Sequence, residues 1–293
     1  MKLGLGTVQF GLDYGISNPD GRTTLEEASE ILEVARNCRI SIIDTAALYG
    51  SSEEVLGRIL PEDHDFKLIT KTIRIDACRI TPADASMLEK TFTDSLYKLR
   101  CHSIYGLMIH SADDLLAEGG SLLFECMTFL KEQGLIQKIG VSVYTSEQVD
   151  QVLQQFAIDL IQLPVNVLDQ RLLQGKQLFN LKAAGVEIHA RSAFLQGLLL
   201  MDPGELPRHF DPVRKHLLRY HEYLNECGLT PMQAALGFVT ALDEIDVVIC
   251  GVNNHQQLKE LCAASARHTP IDLRQFALDD EMILNPSKWS MNS

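Results

Sequence analysis

The feature that most constrains this chain is an alternation of short apolar segments with longer amphipathic ones, repeated eight times. The apolar segments have the length and Ile, Leu and Val content of buried strands. Between them, apolar residues recur three and four positions apart, as in a helix packed on a sheet. Such units favour parallel strands joined by right-handed crossovers. The predicted strands are 2–7, 40–45, 67–72, 104–110, 138–143, 160–165, 186–191 and 245–251.

Eight parallel strands close into a barrel more naturally than they form an open sheet, so we predict an α/β fold, the (β/α)8 or TIM barrel. At 293 residues the chain has a suitable length for one such barrel, and we expect a single domain over 1–293. The connection between strands 7 and 8 is unusually long. Its segment 198–228 contains Pro, Gly and charged residues, which predicts an enlarged loop with an extra helix.

The charge of the chain favours a small-molecule ligand. A net charge of -13 and a pI of about 5.1 give an acidic surface, which repels nucleic acids and anionic lipids. No apolar run approaches the roughly 18 residues of a membrane span, and the amino terminus lacks the apolar stretch of a secretory signal. We therefore expect a cytoplasmic protein with neither nucleic-acid nor membrane partners, either a monomer or a homodimer.

The cysteines indicate reduced thiols. There are seven, an odd number, and none forms a CxxC pair. Several lie among apolar residues, which is typical of buried free thiols. We expect neither a disulfide framework nor a metal site.

Four titratable residues lie at the ends of three neighbouring predicted strands. Asp44 ends strand 2, Tyr49 lies in the loop after it, Lys71 closes strand 3 and His110 closes strand 4. In barrels of this kind the chemistry is located at the carboxyl ends of the strands. The helix after Tyr49 has its own turn and capping residues, so Asp44 and Tyr49 are not needed for folding.

These residue types together suit proton donation by a phenol. A free Tyr titrates at about pH 10, and a nearby ammonium such as Lys71 lowers that pKa. Asp44 can keep Lys71 charged, and His110 can orient a carbonyl oxygen. A carbonyl that receives a proton must also receive a hydride, which a nicotinamide cofactor supplies.

Each residue taken alone also has a structural explanation. Asp44 suits an Asx turn, Lys71 a solvated strand end, Tyr49 loop packing, and His110 a satisfied structural histidine. Their joint position favours the catalytic interpretation. By contrast, the glycines in segment 4–11 do not form a dinucleotide fingerprint, because the third is misplaced and a polar loop follows.

These segments resemble the aldo-keto reductase family. DTAALYGSSEEVLG, LITK and LMIH are similar to its Asp-to-Tyr, lysine and histidine motifs, and GLIQKIGVS, DLIQLPVN, ARSAFLQGLL and VVICGVNNHQQLKE extend the resemblance over nearly the whole chain. It implies a barrel that binds NAD(P)H across its top and reduces a small aldehyde or ketone to an alcohol. Tyr49 would be the general acid, with Lys71 lowering its pKa, Asp44 supporting Lys71 and His110 orienting the substrate.

The resemblance also implies cofactor-binding residues. Ser142 and Gln162 match positions that hold the nicotinamide carboxamide, and Asn166 follows in the same motif and would support Gln162. The loop that contains Ser192 matches one that contacts the pyrophosphate through its backbone. The further expected contacts are Arg191, Ser192, Phe194, Gln196, Gly197, Gly251, Asn253, Asn254 and Gln257.

Three departures from the family pattern affect the cofactor. Val143 replaces the usual Asn, and Arg191 replaces an aromatic ring that stacks on the nicotinamide. The Arg191 guanidinium can stack, reach the pyrophosphate or pair with Glu187. As a cation near the nicotinamide it should disfavour the oxidised cofactor. After strand 8 no permanent cation precedes Lys259, so we expect NADP(H), the family default, with NAD(H) as the alternative.

Two other functions stay open at this point. Some relatives of this fold are non-catalytic, nicotinamide-cofactor-binding regulatory or scaffold subunits. A metal-dependent barrel hydrolase or isomerase would need several His, Asp and Glu ligands at strand ends, where only Asp44 and His110 qualify. For the substrate, Phe10, Tyr14 and Leu48 are the expected apolar walls.

Overall fold

The eight predicted strands form one closed parallel barrel, which confirms the (β/α)8 prediction. The computed structural model describes residues 2–18, 20–265 and 271–289, so residues 1, 19, 266–270 and 290–293 of the expected domain lie outside the described part. Neighbouring strands pair in chain order, and the last pairs with the first. They are β1 (Leu3–Gly6), β2 (Ile42–Asp44), β3 (Lys67–Lys71), β4 (Ile104–Ile109), β5 (Ile136–Ser142), β6 (Leu160–Pro164), β7 (Glu187–Arg191) and β8 (Val247–Gly251).

Helices surround the barrel, and local sequence signals set several of their starts. Thr81, Thr145 and Thr230 each begin a capping box, in which a helix N-cap and the third helical residue satisfy each other's backbone N–H groups. Among the described residues no helix is long and apolar enough to cross a bilayer. The helices are α1 (Leu25–Asn37), α2 (Ser52–Ile59), α3 (Pro82–Leu99), α4 (Ala112–Leu116), α5 (Ser121–Glu132), α6 (Ser146–Gln155), α7 (Gln177–Ala183), α8 (Asp211–Glu226), α9 (Pro231–Thr240), α10 (His255–Ser265) and α11 (Glu281–Leu284).

The long connection between β7 and β8 contains the extra helix that the sequence predicts. This helix is α8, and it buries Val213, Leu217, Tyr220 and Leu224, whose spacing of three and four residues places them on one face. They pack in a cluster that also contains Phe210 from the preceding turn. The connection is therefore anchored by its own apolar core beside the barrel.

The inside of the barrel is filled with apolar side chains below the carboxyl ends of the strands. Ile42, Ile69, Met108, Leu160 and Ile249 form this layer, separate from the larger core between strands and helices. Burying these groups stabilises the barrel. The layer thus provides a floor for the site described next.

Candidate active site

A cavity of about 520 Å³ opens at the carboxyl ends of the strands. The structure brings together nearly all of the residues that the sequence predicts for a site. The exception is Asn254, which does not line the cavity. Those that do are Asp44, Tyr49, Lys71, His110, Ser142, Gln162, Arg191, Ser192, Phe194, Gln196, Gly197, Gly251, Asn253 and Gln257.

A buried ion pair lies at the bottom of this cavity. Lys71 and Asp44 end adjacent strands, and Lys71 Nζ donates to Asp44 Oδ2 at 2.6 Å and to the Thr45 carbonyl at 2.9 Å. The two side chains are 1% and 4% exposed. Burial alone would lower the pKa of Lys71, but the Asp44 carboxylate and the Tyr49 phenol beside it raise that pKa above its ordinary value. Lys71 is therefore charged at neutral pH.

The other Asp44 oxygen is held by Gln162. Gln162 Nε2 donates to Asp44 Oδ1 at 2.8 Å, so both carboxylate oxygens are bonded within the protein. Asn166, expected to support Gln162, instead donates through Nδ2 to the Ser192 carbonyl at 3.1 Å. Its Oδ1 accepts the N–H groups of its own loop, from residues 168 and 169. Asn166 thus fixes the loop after β6 to the loop after β7.

Tyr49 lies over the ion pair. Lys71 Nζ is 5.0 Å from the centroid of its ring, and the His110 ring centroid is 6.1 Å away at an interplanar angle of 84°. Burial raises the pKa of Tyr49, while the charges of Lys71 and Arg191 lower it, and the net direction is upward. Lys71 acts in the direction that the sequence predicts, but desolvation of the phenolate outweighs it. The phenol is protonated at neutral pH.

His110 is a neutral imidazole held by Thr72. The His110 backbone N–H donates to Thr72 Oγ1 at 3.2 Å, and its Nδ1 lies 3.3 Å from the Thr72 carbonyl oxygen. Burial, together with the Lys71 charge, lowers the pKa of His110 to about 4. Since Nδ1 faces the backbone, Nε2 is the nitrogen available to a ligand.

Arg191 extends from β7 across the end of β6 to the loop after β5. Its Nη2 donates to the Val143 carbonyl at 3.1 Å, and its Nη1 donates to Ser192 Oγ at 3.3 Å. The guanidinium carbon is 4.1 Å from the centroid of the Tyr144 ring, a stacked cation–π arrangement. The Val143 side chain is buried in the core and does not line the cavity, so the position that departs from the family contributes only the carbonyl that accepts from Arg191.

The alternative pairing of Arg191 with Glu187 is wrong. The Glu187 carboxylate accepts hydrogen bonds from Tyr105 Oη at 2.6 Å and from His189 Nε2 at 2.7 Å, and it pairs with Lys138. These groups lie at the opposite end of β7, where the strand begins. Arg191 is therefore held by neutral partners at the cavity rim.

The loop after β7 has an unusual backbone. Ser192, Leu195, Gln196 and Gly197 have φ values of 61°, 48°, 53° and 97°, in the left-handed region that disfavours L side chains. A Cβ atom on Gly197 would lie 2.0 Å from Ser17 Oγ in the loop after β1. The two loops meet here, and glycine is required by both conformation and contact.

At the start of α10, side chains accept from backbone N–H groups in the helix and just before it. Asn254 Oδ1 accepts from the Gln257 N–H at 2.9 Å, and Gln257 Oε1 accepts from the Asn253 N–H at 2.8 Å. Glu27 accepts from the backbone N–H of His255. The structure therefore places Asn254 in a capping role, and only Asn253 and Gln257 face the cavity.

Sequence reasoning missed Gln9, Tyr144 and Glu260, which also line the cavity. Gln9 is 8% exposed, and its Oε1 has no hydrogen-bond partner within the described residues. It lies in the glycine-containing segment that sequence analysis tested only as a dinucleotide fingerprint. The available signal was a Gln three residues after a barrel strand.

The expected apolar walls are only partly correct. Tyr14 lines the cavity. Phe10 is 1% exposed and packs in the core, whereas Leu48 is 43% exposed and lies outside the cavity lining. The cavity wall is thus more polar than the sequence suggested.

Comparisons with known proteins agree on one family and one fold. The model of the Aldo/keto reductase family matches residues 2–283. Aldo-keto reductase YhdN of Bacillus subtilis (strain 168) is 26% identical over 178 residues, which are 58% of this chain and 52% of that protein. The chain thus matches about half the length of this relative.

Two solved structures share the fold. Aldo-keto reductase AKR11C1 from Bacillus halodurans, in its holo form, has a TM-score of 0.73 at 22% identity, covering 94% of this chain and 90% of that one. Glycerol dehydrogenase AKR11B4 from Gluconobacter oxydans has a TM-score of 0.68 at 23% identity, covering 92% and 94%. At these identities the similarity establishes the barrel alone.

Proposed function

Because the chain belongs to the Aldo/keto reductase family, we propose that it reduces an aldehyde or ketone to an alcohol with a nicotinamide dinucleotide, and that Tyr49 donates the proton. The observation that carries the proposal is the buried Lys71–Asp44 pair directly beneath the Tyr49 phenol, in a cavity at the carboxyl ends of the strands. A buried ion pair is costly to build, and here it serves a titratable group that faces a ligand cavity.

The cavity residues fit a dinucleotide. Ser142 and Gln162 line the cavity, and Gln162 donates through its amide nitrogen to Asp44. Its Oε1 has no bond to a described residue and can accept from a carboxamide. The left-handed backbone that begins at Ser192 suits close approach to a pyrophosphate. The buried Gln9 Oε1 has no protein partner and suits a ligand hydroxyl. When bound, the reduced nicotinamide supplies the hydride.

Lys71 is arranged to stabilise the phenolate that remains when the Tyr49 proton leaves. An ammonium has three N–H donors, and two of them are bonded to Asp44 and to the Thr45 carbonyl. The third is available for the Tyr49 oxygen. Because Asp44 keeps the ammonium charged and fixed, the positive charge is already in place when the phenol becomes an anion.

His110 would position the substrate oxygen next to Tyr49. Its low pKa keeps the imidazole neutral above about pH 4, so it can donate one hydrogen bond without competing as an acid. Donation into the cavity requires the hydrogen on Nε2. The alternative tautomer has its hydrogen on Nδ1. Its hydrogen bond to the Thr72 carbonyl would be weak, because the distance is 3.3 Å.

The test is a panel of aldehydes and ketones assayed with NADPH and with NADH, together with binding of both dinucleotides. We expect cofactor binding and cofactor-dependent reduction of at least one carbonyl. Activity that survives a chelator and requires the dinucleotide would also exclude a metal-dependent hydrolase. Tight binding without reduction of any panel member would overturn the proposal in favour of a regulatory or scaffold subunit.

A further inference from the structure

The part of the cavity beside the start of α10, here called the α10 end, is defined by Gln9, Gly251, Asn253, Gln257 and Glu260. All five line the cavity, and none carries a positive charge. Gln9 belongs to this end because its carbonyl accepts from the Thr23 N–H at 2.9 Å, and Thr23 Oγ1 donates to the Asn253 carbonyl at 3.4 Å.

Gln9 places an unbonded polar atom at the α10 end. Gln9 is only 8% exposed, yet its Oε1 has no hydrogen-bond partner among the described residues. A Cβ atom on Gly251 would lie 2.6 Å from this oxygen, so the glycine leaves room for the amide. A buried, unbonded amide oxygen is costly, and a ligand hydroxyl would satisfy it.

The charge at the α10 end is negative. Glu260 lines the cavity, and its Oε1 accepts only the neutral Gln256 amide at 3.1 Å, so no cation neutralises it among the described residues. Lys259 is the nearest cation in sequence, but it does not line the cavity and acts on Glu27, whose pKa it helps to lower. A phosphate placed here would meet a carboxylate rather than an ammonium.

Two N–H groups at the start of α10 are also unavailable to a phosphate. Helix N-termini bind anions through free N–H groups. Here the His255 N–H donates to the Glu27 carboxylate, and the Gln257 N–H donates to Asn254 Oδ1 at 2.9 Å. Glu30 adds a second carboxylate at 2.9 Å from His255 Nδ1. The helix end is thus occupied by the protein's own anions and acceptors.

We propose that the α10 end receives an adenosine ribose with a free 2'-hydroxyl, so that the chain binds NAD(H) in preference to NADP(H). The proposal rests on the proposed function and specifies its cofactor. A ribose 2'-hydroxyl can donate to the Gln9 amide or the Glu260 carboxylate. A 2'-phosphate can only accept from cations or N–H groups, and at this end no cation lines the cavity among the described residues and the His255 and Gln257 N–H groups are already bonded.

The experiment measures equilibrium binding to the full chain, without turnover. NADH and NADPH are titrated by fluorescence, and 5'-AMP and adenosine 2',5'-bisphosphate compete as probes that lack the nicotinamide. We expect NADH to bind at least about tenfold tighter than NADPH, and 5'-AMP to compete better than the bisphosphate. Glu260→Gln should reduce the preference several-fold, and Asn253→Arg should raise NADPH affinity in a salt-dependent manner. Glu226→Gln, an exposed change on α8, is the matched control and should leave the ratio unchanged.

The outcomes separate the two proposals. Equal or tighter binding of NADPH by the unaltered chain would overturn the cofactor preference and leave carbonyl reduction intact. If neither dinucleotide nor either adenosine probe bound, the proposed function would fail, and the preference with it. An unchanged ratio in Glu260→Gln together with no gain in Asn253→Arg would also overturn the assignment of the α10 end.

Discussion

Lys71 Nζ lies 2.6 Å from Asp44 Oδ2, and the other Asp44 oxygen accepts from Gln162, so the carboxylate joins three strands of the barrel. The pair therefore has a structural role in addition to any role in catalysis. Replacing one member leaves a charge buried without its partner, which is more costly than never having buried the pair.

Asp44→Asn should lower the free energy of unfolding by about 3 to 5 kcal/mol, because the Lys71 ammonium loses its buried counter-charge. Urea denaturation measures the change, with Asp44→Asn, Lys71→Met and the double variant forming a cycle. The double variant should lose less than the sum of the singles. Glu118→Gln breaks the exposed pair with Arg79 and serves as the control that should change little. If the loss of unfolding free energy in the double variant equalled the sum of the two single losses, the coupling between Asp44 and Lys71 would be contradicted.

Tyr49→Phe should retain the fold and the dinucleotide affinity while turnover falls by about 100-fold or more, since only the proton donor is removed. Steady-state carbonyl reduction and cofactor titration measure the two effects separately. The phenyl ring of the variant still packs over Lys71, so stability should be nearly unchanged. Near-normal turnover in this variant would exclude Tyr49 as the acid.

Stability should fall as the pH drops from about 6.5 towards 4 through His110. In the unfolded chain the imidazole takes up a proton near its ordinary value of 6.5, whereas the folded protein delays uptake to about 4. The unfolded state therefore binds more protons in this window and is favoured by acid, by on the order of 3 kcal/mol. Urea unfolding at pH 7 and 4.5 tests this, and His110→Asn should show a smaller loss. Equal losses in both proteins would refute the assignment.

Arg191→Gln should shift cofactor preference towards the oxidised form. The guanidinium places a positive charge at the cavity rim near the proposed nicotinamide position, so the cationic ring of the oxidised form is disfavoured. We expect the unaltered chain to bind the reduced form more tightly, and the variant to lose part of that difference in fluorescence titrations. Tyr144→Leu, which removes the stacking partner but keeps the charge, is the matched variant. Equal affinities for both forms in the unaltered chain would contradict the prediction.

Gly197→Ala should destabilise the protein more than Gly228→Ala. Both glycines have positive φ, 97° and 67°, so each substitution carries backbone strain, on the order of 1 kcal/mol. Only at Gly197 does the new methyl also meet Ser17, at 2.0 Å, while nothing lies within 4 Å at Gly228. Thermal and urea unfolding compare the two. Ser17→Gly should restore part of the loss at Gly197, and a failure to do so would argue against the contact.

The barrel could be predicted from the sequence because its strands are short apolar runs with helices between them. The prediction of the strand ends was less accurate. The second strand is Ile42–Asp44 rather than 40–45, and the fifth is Ile136–Ser142 rather than 138–143. Pairing with neighbours decides where a strand begins, and an apolar residue such as Ile40 can be buried beside a strand without joining it.

The placement of Asp44, Lys71 and His110 could be predicted for the same reason, since it follows from strand order alone. The bond from Gln162 to Asp44 could not, because it joins residues 118 positions apart through particular side-chain rotamers. The direction of the Tyr49 pKa shift could not be predicted either, because it depends on whether burial outweighs the Lys71 charge. The local sequence pattern sets the direction and register of the strands. The Gln162–Asp44 bond and the Tyr49 pKa depend instead on tertiary packing.

The apolar layer of Ile42, Ile69, Met108, Leu160 and Ile249 determines how ligands enter and leave the cavity. Because it blocks the barrel from below, there is no rear passage among the described residues, and every reactant must arrive through the mouth and every product must retrace that route. Whatever binds deepest is therefore the last to be released, and a bulky molecule lodged at the rim would halt exchange without touching the ion pair beneath.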